Sequence, residues 1–567
     1  MECYNPSRYS LSRKSLRLRE KTAPENGPFH MMEFLSRCGL FFRILLAALT
    51  VLIVLVVAGY AAVYLSIAAV RLGYPYELEW IEGGFVDQVG RILAGQTVYG
   101  PPSIEFTPFL YTPLYFHLSA AAAKVFGAGF FPLRLVSVLS SLVGMAGMFL
   151  LVFRRNKNLV AAALAAGLLA ASYRITGAWL DVARVDSLSI AFLVLFCLAL
   201  PESPDRIRWL AAGFCASLMV LTKQSMLIAV LPFFLVHLVQ YRRRAVWMAA
   251  GFLLPLCLVT LFFHLASDGW YSFYTIELLG QQTEWLSQEV IVAFWKTDIL
   301  RHYFVALGIA AAGLFLAFRE KRKEFWEWLA LLVGALLCSF LARIKAGGYD
   351  NVLLPSVAVI GILLGIGWDR VTGALLKNPN FLRDGFGILL TAAALYQFYH
   401  LRYSPADQIP TARNYQTGDA FIQYISEIPG EVYVPYHTHY SAMAGKRTYA
   451  HQAALWDVLR GESANRGKEI LIQDIEQAVR SRQFDRIILD GDGQWNFLYG
   501  LDQCYSTRPE LLPPDIAPTP LTGWQISPQW IFLPINNPQT ASRAPAIVPG
   551  YGGVIREWER LFPYLSD

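Results

Sequence analysis

ILLAALTVLIVLVVAGYAAVYLSIAAV, residues 44–70, carries no charged side chain. At about 1.5 Å per helical residue it more than covers a hydrocarbon core roughly 30 Å thick, so it predicts a membrane-spanning helix. Further apolar stretches follow at about 135–153, 158–173, 187–200, 209–222, 225–240, 245–265, 302–318, 325–342, 351–368 and 385–401. With 55% hydrophobic and 16% charged residues, bilayer rather than water is the solvent for most of the chain. The pattern predicts a polytopic α-helical membrane protein of about eleven transmembrane helices.

Basic residues set its orientation, because Lys and Arg are retained in cytoplasmic loops. They fall in every second loop: Arg154, Arg155 and Lys157; Arg206 and Arg208; Arg242 to Arg244; Arg319, Lys321, Arg322 and Lys323; Arg370, Lys377 and Arg383. Residues 1–39, with Arg8, Arg13, Lys14, Arg17 and Arg19, read as a basic cytoplasmic tail, since the first 32 lack the apolar core and cleavage site of a secretory signal. A transmembrane module over 40–402 then places loops 71–134, 173–186, 266–300 and 343–350 outside, with everything after 402. In a bacterial inner membrane that side is the periplasm. Spanning with Tyr111 to Phe126 would reverse the alternation, so this stretch is expected to lie at the outer surface.

The net charge of +6 resides in the tail and the cytoplasmic loops, as orientation requires, and gives no case for nucleic acid. Seven scattered cysteines support neither a disulfide framework nor a thiolate metal site. Residues 403–567 form a mixed polar region that predicts an extracytoplasmic α/β domain. Its expected elements are a helix near Thr417 to Ile428 opened by a capping Thr, a strand Glu431 to Tyr436, a helix near Lys468 to Arg480 and a strand Phe484 to Asp490. The Pro-rich stretch from Pro513 to Pro549 predicts little regular structure. His437, His439 and His451, with Asp490 and Asp492, have no metal-ligand spacing and read as surface residues.

Chemistry-bearing groups gather in the outer loops. Glu77, Glu79, Glu82, Asp87 and Glu105 stand beside an apolar wall, where carboxyl pKa values rise. A helix over Tyr76 to Arg91 would put Glu79 and Glu82 on one face, addressing one bound group or simply solvating an interfacial helix. In the second loop Arg184 either pairs with Asp181 or Asp186, or these acids join the glutamates around a substrate hydroxyl. Lys223, Arg343 and Lys345 lie outside against the orientation rule. They either snorkel to headgroups or bind an anionic phosphate, which the backbone at Gly347 and Gly348 could also approach.

At these residues the chain resembles the GT-C integral-membrane glycosyltransferases, in particular the protein O-mannosyltransferases and aminoarabinose transferases. The resemblance rests on Trp80-Ile81-Glu82-Gly83, Gly95 to Tyr99, Tyr111-Thr112-Pro113-Leu114, Arg184 to Leu188 and Lys345 to Asn351. Ile81 stands where the family has the first acid of an acidic pair, and Glu79 is the substitute. The resemblance implies transfer of a sugar from a polyprenyl-phosphate donor to a glycan, lipid or protein acceptor at the outer face, among membrane lipids. Glu79, Glu82 or Asp181 would act as base, while Asp186, Arg184, Arg343, Lys345, Tyr349 and Asn351 would bind substrate. No cofactor is expected, because basic side chains neutralise a monophosphate and make a divalent metal dispensable. The competing readings are a transporter or lipid-linked-sugar flippase, which should show internal repeats that the sequence lacks, and an inactive scaffold of the same fold.

With this topology, a cysteine introduced near residue 320 should be protected from an impermeant thiol reagent added outside, and one near 347 should be labelled. The reverse pattern would overturn the orientation.

Overall fold

In a bilayer each backbone N–H and C=O must be satisfied within its own segment, so apolar stretches of this length fold as helices. The computed structural model describes residues 28–535 apart from 201–204, 243–244, 282–287, 346, 377–380, 461–464, 492–495 and 507–508. Every apolar stretch lies in a helix: Pro28–Leu72, Phe130–Asn156, Leu159–Ala171, Asp186–Ala199, Arg206–Thr222, Met226–Tyr241, Ala245–Ala266, His302–Glu320, Arg322–Arg343, Leu354–Leu376 and Phe381–His400. Among the described residues six helical stretches are long and apolar enough to cross a membrane: Gly39–Leu72, Phe130–Asn156, Ala245–Ala266, Gln288–Glu320, Arg322–Arg343 and Asp350–Leu375. The basic residues Arg8 to Arg19, Ala346, Asp492 and the Pro-rich stretch beyond 535 lie outside the described residues.

Loops assigned to opposite faces separate into two clusters. At one end Arg155 and Arg370 both pair with Glu324, at 2.9 and 2.8 Å, and Asn158 donates to Asp369 at 3.0 Å. At the other end Lys223 meets Asp186 at 2.7 Å, and Arg343 meets Asp298 and Asp350 at 2.9 and 3.1 Å. Tyr111 to Phe126 yields a helix, Leu114–Phe126, that packs Tyr115 and Phe116 against Phe85 and Leu133.

The helix expected over Tyr76 to Arg91 begins only at Glu82 and runs Glu82–Leu93. The chain before Glu82 instead folds around buried Arg134, which donates to the carbonyls of Arg71, Tyr74 and Tyr76. Glu79 therefore lies outside the helix, in the turn that leads into it, where its carbonyl accepts from Glu82 N–H at 3.0 Å.

Beyond residue 402 the order is helix Ala412–Glu427, β1 (Val432–Tyr433), helix Gln452–Leu459, helix Arg466–Arg480, β2 (Arg486–Asp490), β3 (Glu510–Leu511) and β4 (Pro528–Phe532), with shorter helical turns between them. The strands form one sheet in the order β1-β2-β4-β3, parallel between β1 and β2 and antiparallel elsewhere. The first of these helices opens five residues early, because Thr411 and Asn414 cap each other's backbone groups. The Pro-rich stretch is less irregular than expected: β4 lies within it, with Pro528 as its first residue, where a missing N–H is tolerated.

This region shares its core with the first loop. Val98, Tyr99 and Ile104 pack with Tyr433, Leu455, Ile475 and Ile487, and backbone bonds join Ala450 N–H to Ile104 O at 2.7 Å and Thr522 N–H to Leu78 O at 2.9 Å. His437 and His451 are buried and not surface residues. The His437 ring lies between Glu77, bonded to Nδ1, and Asp490, 2.9 Å from Nε2, linking the first loop to the end of β2.

Burial alone would lower the pKa of His437, but Asp490 and Glu77 on its two nitrogens raise it from 6.5 to about 10. Since the folded value exceeds the unfolded one, its contribution to stability is complete below about pH 6.5 and is lost as pH rises through about 10. His437→Gln should cost about 3–5 kcal/mol by leaving two buried carboxylates without their cation. Thermal melts between pH 6.5 and 10 should show a decline in the unmodified protein that is flattened in the variant.

Candidate functional site

A cavity of about 580 Å³ lies where one end of the membrane helices meets the C-terminal region. Its membrane side is apolar, with Ile228, Cys338, Leu341, Ala342 and Val352. Its upper side carries Trp80, Trp456 and Trp524 from outside the membrane module's helices. Between them stand Glu79, Tyr111, Trp179, Arg184, Lys223, Gln224, Lys345, Tyr349 and Asn351. An apolar trough with a few convergent polar groups is the ordinary form of a ligand site.

Glu79 is 1% exposed and accepts a hydrogen bond from Arg184 Nη1 at 2.9 Å. Burial raises its carboxyl pKa from 4.5 to about 7, against the opposing pull of Arg184. The chain closes over it because residue 523 is glycine at φ +74°; a Cβ there would stand 2.8 Å from Glu79 Cγ. Arg184 also donates to the Tyr111 hydroxyl at 3.1 Å and lies 4.9 Å over Phe85. These contacts hold the guanidinium in one orientation.

Asp186 does not reach the cavity but organises its wall. One oxygen accepts from Lys223 Nζ at 2.7 Å and from Asn351 Nδ2 at 3.1 Å, while the other accepts from Trp179 Nε1 at 3.1 Å. Arg343 likewise stands behind the wall, on Asp298, Asp350 and the Gly348 carbonyl, and so braces the turn that carries Lys345, Tyr349 and Asn351. Gly177, at φ +76°, admits Tyr349 beside it, since a Cβ would meet the Tyr349 ring at 2.6 Å.

Two of the three expected bases are elsewhere. Glu82 is fully buried, clamped by Arg134 Nη2 at 2.5 Å and Nε at 3.1 Å and by the backbone N–H groups of Ala183 and Leu78 at 2.5 and 2.7 Å. Burial works against its ionisation, yet Arg134 and these N–H groups hold its pKa below the usual carboxylate range, leaving a permanently charged structural partner. Asp181 pairs with Arg71 at 3.1 Å and accepts from the Tyr173 hydroxyl at 3.0 Å, also off the cavity. Of the nine expected site residues, the structure gathers Glu79, Arg184, Lys345, Tyr349 and Asn351 on the cavity and sets Glu82, Asp181, Asp186 and Arg343 behind it.

Lys223 was noticeable in sequence as a cation on the wrong side of the orientation rule that could meet an anionic phosphate, and the structure sets it on the cavity. Trp456, Asp457 and Trp524 gave no signal, because only tertiary packing carries the C-terminal region to the cavity. Among the described residues no group of three His, Cys, Asp or Glu side chains is arranged to hold a metal.

Residues 110–270 match the family model described as dolichyl-phosphate-mannose-protein mannosyltransferase. No curated protein matches the chain in sequence. ArnT from Cupriavidus metallidurans bound to undecaprenyl phosphate superposes with a TM-score of 0.54 at 12% identity, over 84% of this chain and 97% of that one. Its apo state gives 0.53 at 13% over the same shares. The resemblance to GT-C membrane glycosyltransferases thus extends from motifs to the fold.

The buried and cavity-lining acids should separate in a stability assay. Glu82→Gln should lower unfolding free energy by about 3–5 kcal/mol, since it leaves Arg134 buried and uncompensated. Glu79→Gln, replacing an acid already half protonated at neutral pH, should cost clearly less when both are compared by thermal melting at pH 7.

Proposed function

We propose that the chain is a glycosyltransferase that moves a sugar from a polyprenyl-phosphate donor to an acceptor hydroxyl at the outer, periplasmic face of a bacterial inner membrane, with eleven spans and a cytoplasmic N-terminus. The observation that carries this reading is one cavity that joins an apolar membrane-side wall to a carboxylate poised near neutrality and to two lysines. A lipid tail suits the first, an incoming hydroxyl the second and a phosphate the third. Arg184 Nε, Gln224 Oε1 and Ser225 Oγ add support, being buried polar atoms on lining residues that meet no hydrogen-bond partner among the described residues.

In this mechanism Glu79 is the general base. Arg184 keeps the carboxylate available, and Glu79 takes the proton as the acceptor oxygen attacks the anomeric carbon. The bond from that carbon to the phosphate oxygen breaks, and the lipid phosphate leaves with the electron pair. Lys223 and Lys345 neutralise the charge that develops on it. Asp186 and Arg343 act through other groups, by aiming Lys223 and Asn351 and by holding the turn at 345–351. Because side-chain cations supply the neutralisation, the reading includes no metal.

Glu79→Gln should lower kcat by about 100-fold or more, the usual contribution of a general base, with a smaller change in donor KM. The unmodified enzyme should gain activity as pH rises through about 7, where Glu79 loses its proton, and the variant should lack that limb. Transfer from labelled polyprenyl-phosphate sugars in membranes treated with EDTA should be undiminished. Full activity of both Glu79→Gln and Lys345→Ala would remove the proposed site.

A further inference from the structure

The proposed chemistry leaves the upper wall of the cavity unused. Helix Gln452–Leu459 directs Gln452, Ala453, Trp456 and Asp457 to the cavity, with Arg460 just beyond, a spacing that a 3.6-residue repeat places on one face. Trp524 joins them from the loop before β4. These groups are held firmly. Trp524 meets Trp80 edge-on with centroids 5.4 Å apart, and the Arg460 guanidinium lies 4.3 Å over the Trp456 ring and 2.8 Å from Asp457.

The helix itself is fixed by His451. Its Nδ1 accepts from Ala453 N–H at 3.1 Å while Nε2–H donates to the carbonyls of Tyr436 at 3.1 Å and Trp80 at 3.2 Å. Burial lowers the His451 pKa to about 3, keeping the neutral ring that one accepting and one donating nitrogen require.

Flat apolar faces beside planar polar groups match a pyranose, whose C–H face lies on an aromatic ring while its hydroxyls bond carboxylate, carboxamide and guanidinium. Packing preorganises these groups, so little ordering cost falls on binding.

We propose that this wall is a subsite for a pyranose ring, stacked on Trp456 or Trp524 and hydrogen-bonded to Asp457, Arg460 and Gln452, so that the C-terminal region selects the sugar. The inference rests on the glycosyl-transfer reading above and names the sugar-recognising part of that site. The ring belongs either to the lipid-linked donor or to a glycan acceptor, and the contacts required are the same.

The test titrates the full-length protein in nanodiscs and follows tryptophan fluorescence. One arm uses bare polyprenyl phosphate and a panel of polyprenyl-phosphate hexoses, hexosamines and pentoses; the other uses the corresponding free methyl glycosides. At least one sugar-bearing ligand should bind more tightly than the bare carrier or saturate as a free glycoside. Asp457→Asn should weaken that ligand about tenfold or more, the scale of a lost charge-assisted hydrogen bond, and leave bare carrier binding unchanged. Trp524→Ala should do the same and Trp524→Phe should restore most of the loss, which separates stacking from misfolding. Discrimination in the lipid arm alone assigns the ring to the donor, and in the glycoside arm alone to the acceptor. If no sugar binds in either arm, or if the variants weaken bare carrier and sugar-bearing ligands equally, the subsite is refuted. Failure of the bare carrier to bind counts instead against the glycosyl-transfer reading, and the glycoside arm still decides the subsite.

Discussion

Arg134 is the point on which the half of the molecule around the cavity turns. Its side chain is fully buried, yet its donors are shared between the Glu82 carboxylate and the carbonyls of Arg71, Tyr74 and Tyr76. A charge taken from water is tolerated only when its hydrogen bonds are met in full, and here they are met by folding a loop around it. That loop delivers Glu77 to His437 and Glu79 to Arg184. The same rule recurs with Asp186, whose partners Lys223, Asn351 and Trp179 line the cavity, and with Arg343, whose partners Asp298 and Asp350 brace the turn beside it. Pairing deep charges is thus the means by which the cavity is given its shape.

Sequence legibility followed the range of the interactions involved. Apolar stretches declare themselves because membrane helices depend on local composition, and each of those read from sequence lies in a helix. The acids were harder to sort. Glu79 and Glu82 differ by three positions and look equivalent, but Glu82 meets Arg134 from helix Phe130–Asn156 and Glu79 meets Arg184 from the loop before Asp186–Ala199. Partners this remote leave no local trace. The strand inside the Pro-rich stretch was missed for a related reason, since it exists through pairing with β2, which comes from a separate part of the chain; the strand expected over Glu431 to Tyr436 is present but shortened to β1. His437 and His451 looked like surface residues because polarity in sequence says nothing about buried carboxylates or carbonyls supplied from the first loop.

The part of the upper wall that comes from the C-terminal region belongs to no motif. Gln452, Trp456 and Asp457 sit on a helix of ordinary composition, and they acquire meaning only from where His451 and the shared core place that helix. The membrane module and the C-terminal region are therefore one structural unit at the cavity, each supplying walls the other lacks.

The contact between Thr522 and the segment around Glu79 has a bearing on how the protein matures. Residues near 522 leave the ribosome after the membrane helices, and they settle beside Leu78 and Glu79 only once the C-terminal region has folded. Until then the carboxyl would remain hydrated, with the acidity of an ordinary glutamate. A nascent or truncated chain would thus have its membrane helices in place while Glu79 still stood in water, so the burial that raises its pKa depends on assembly of this late segment.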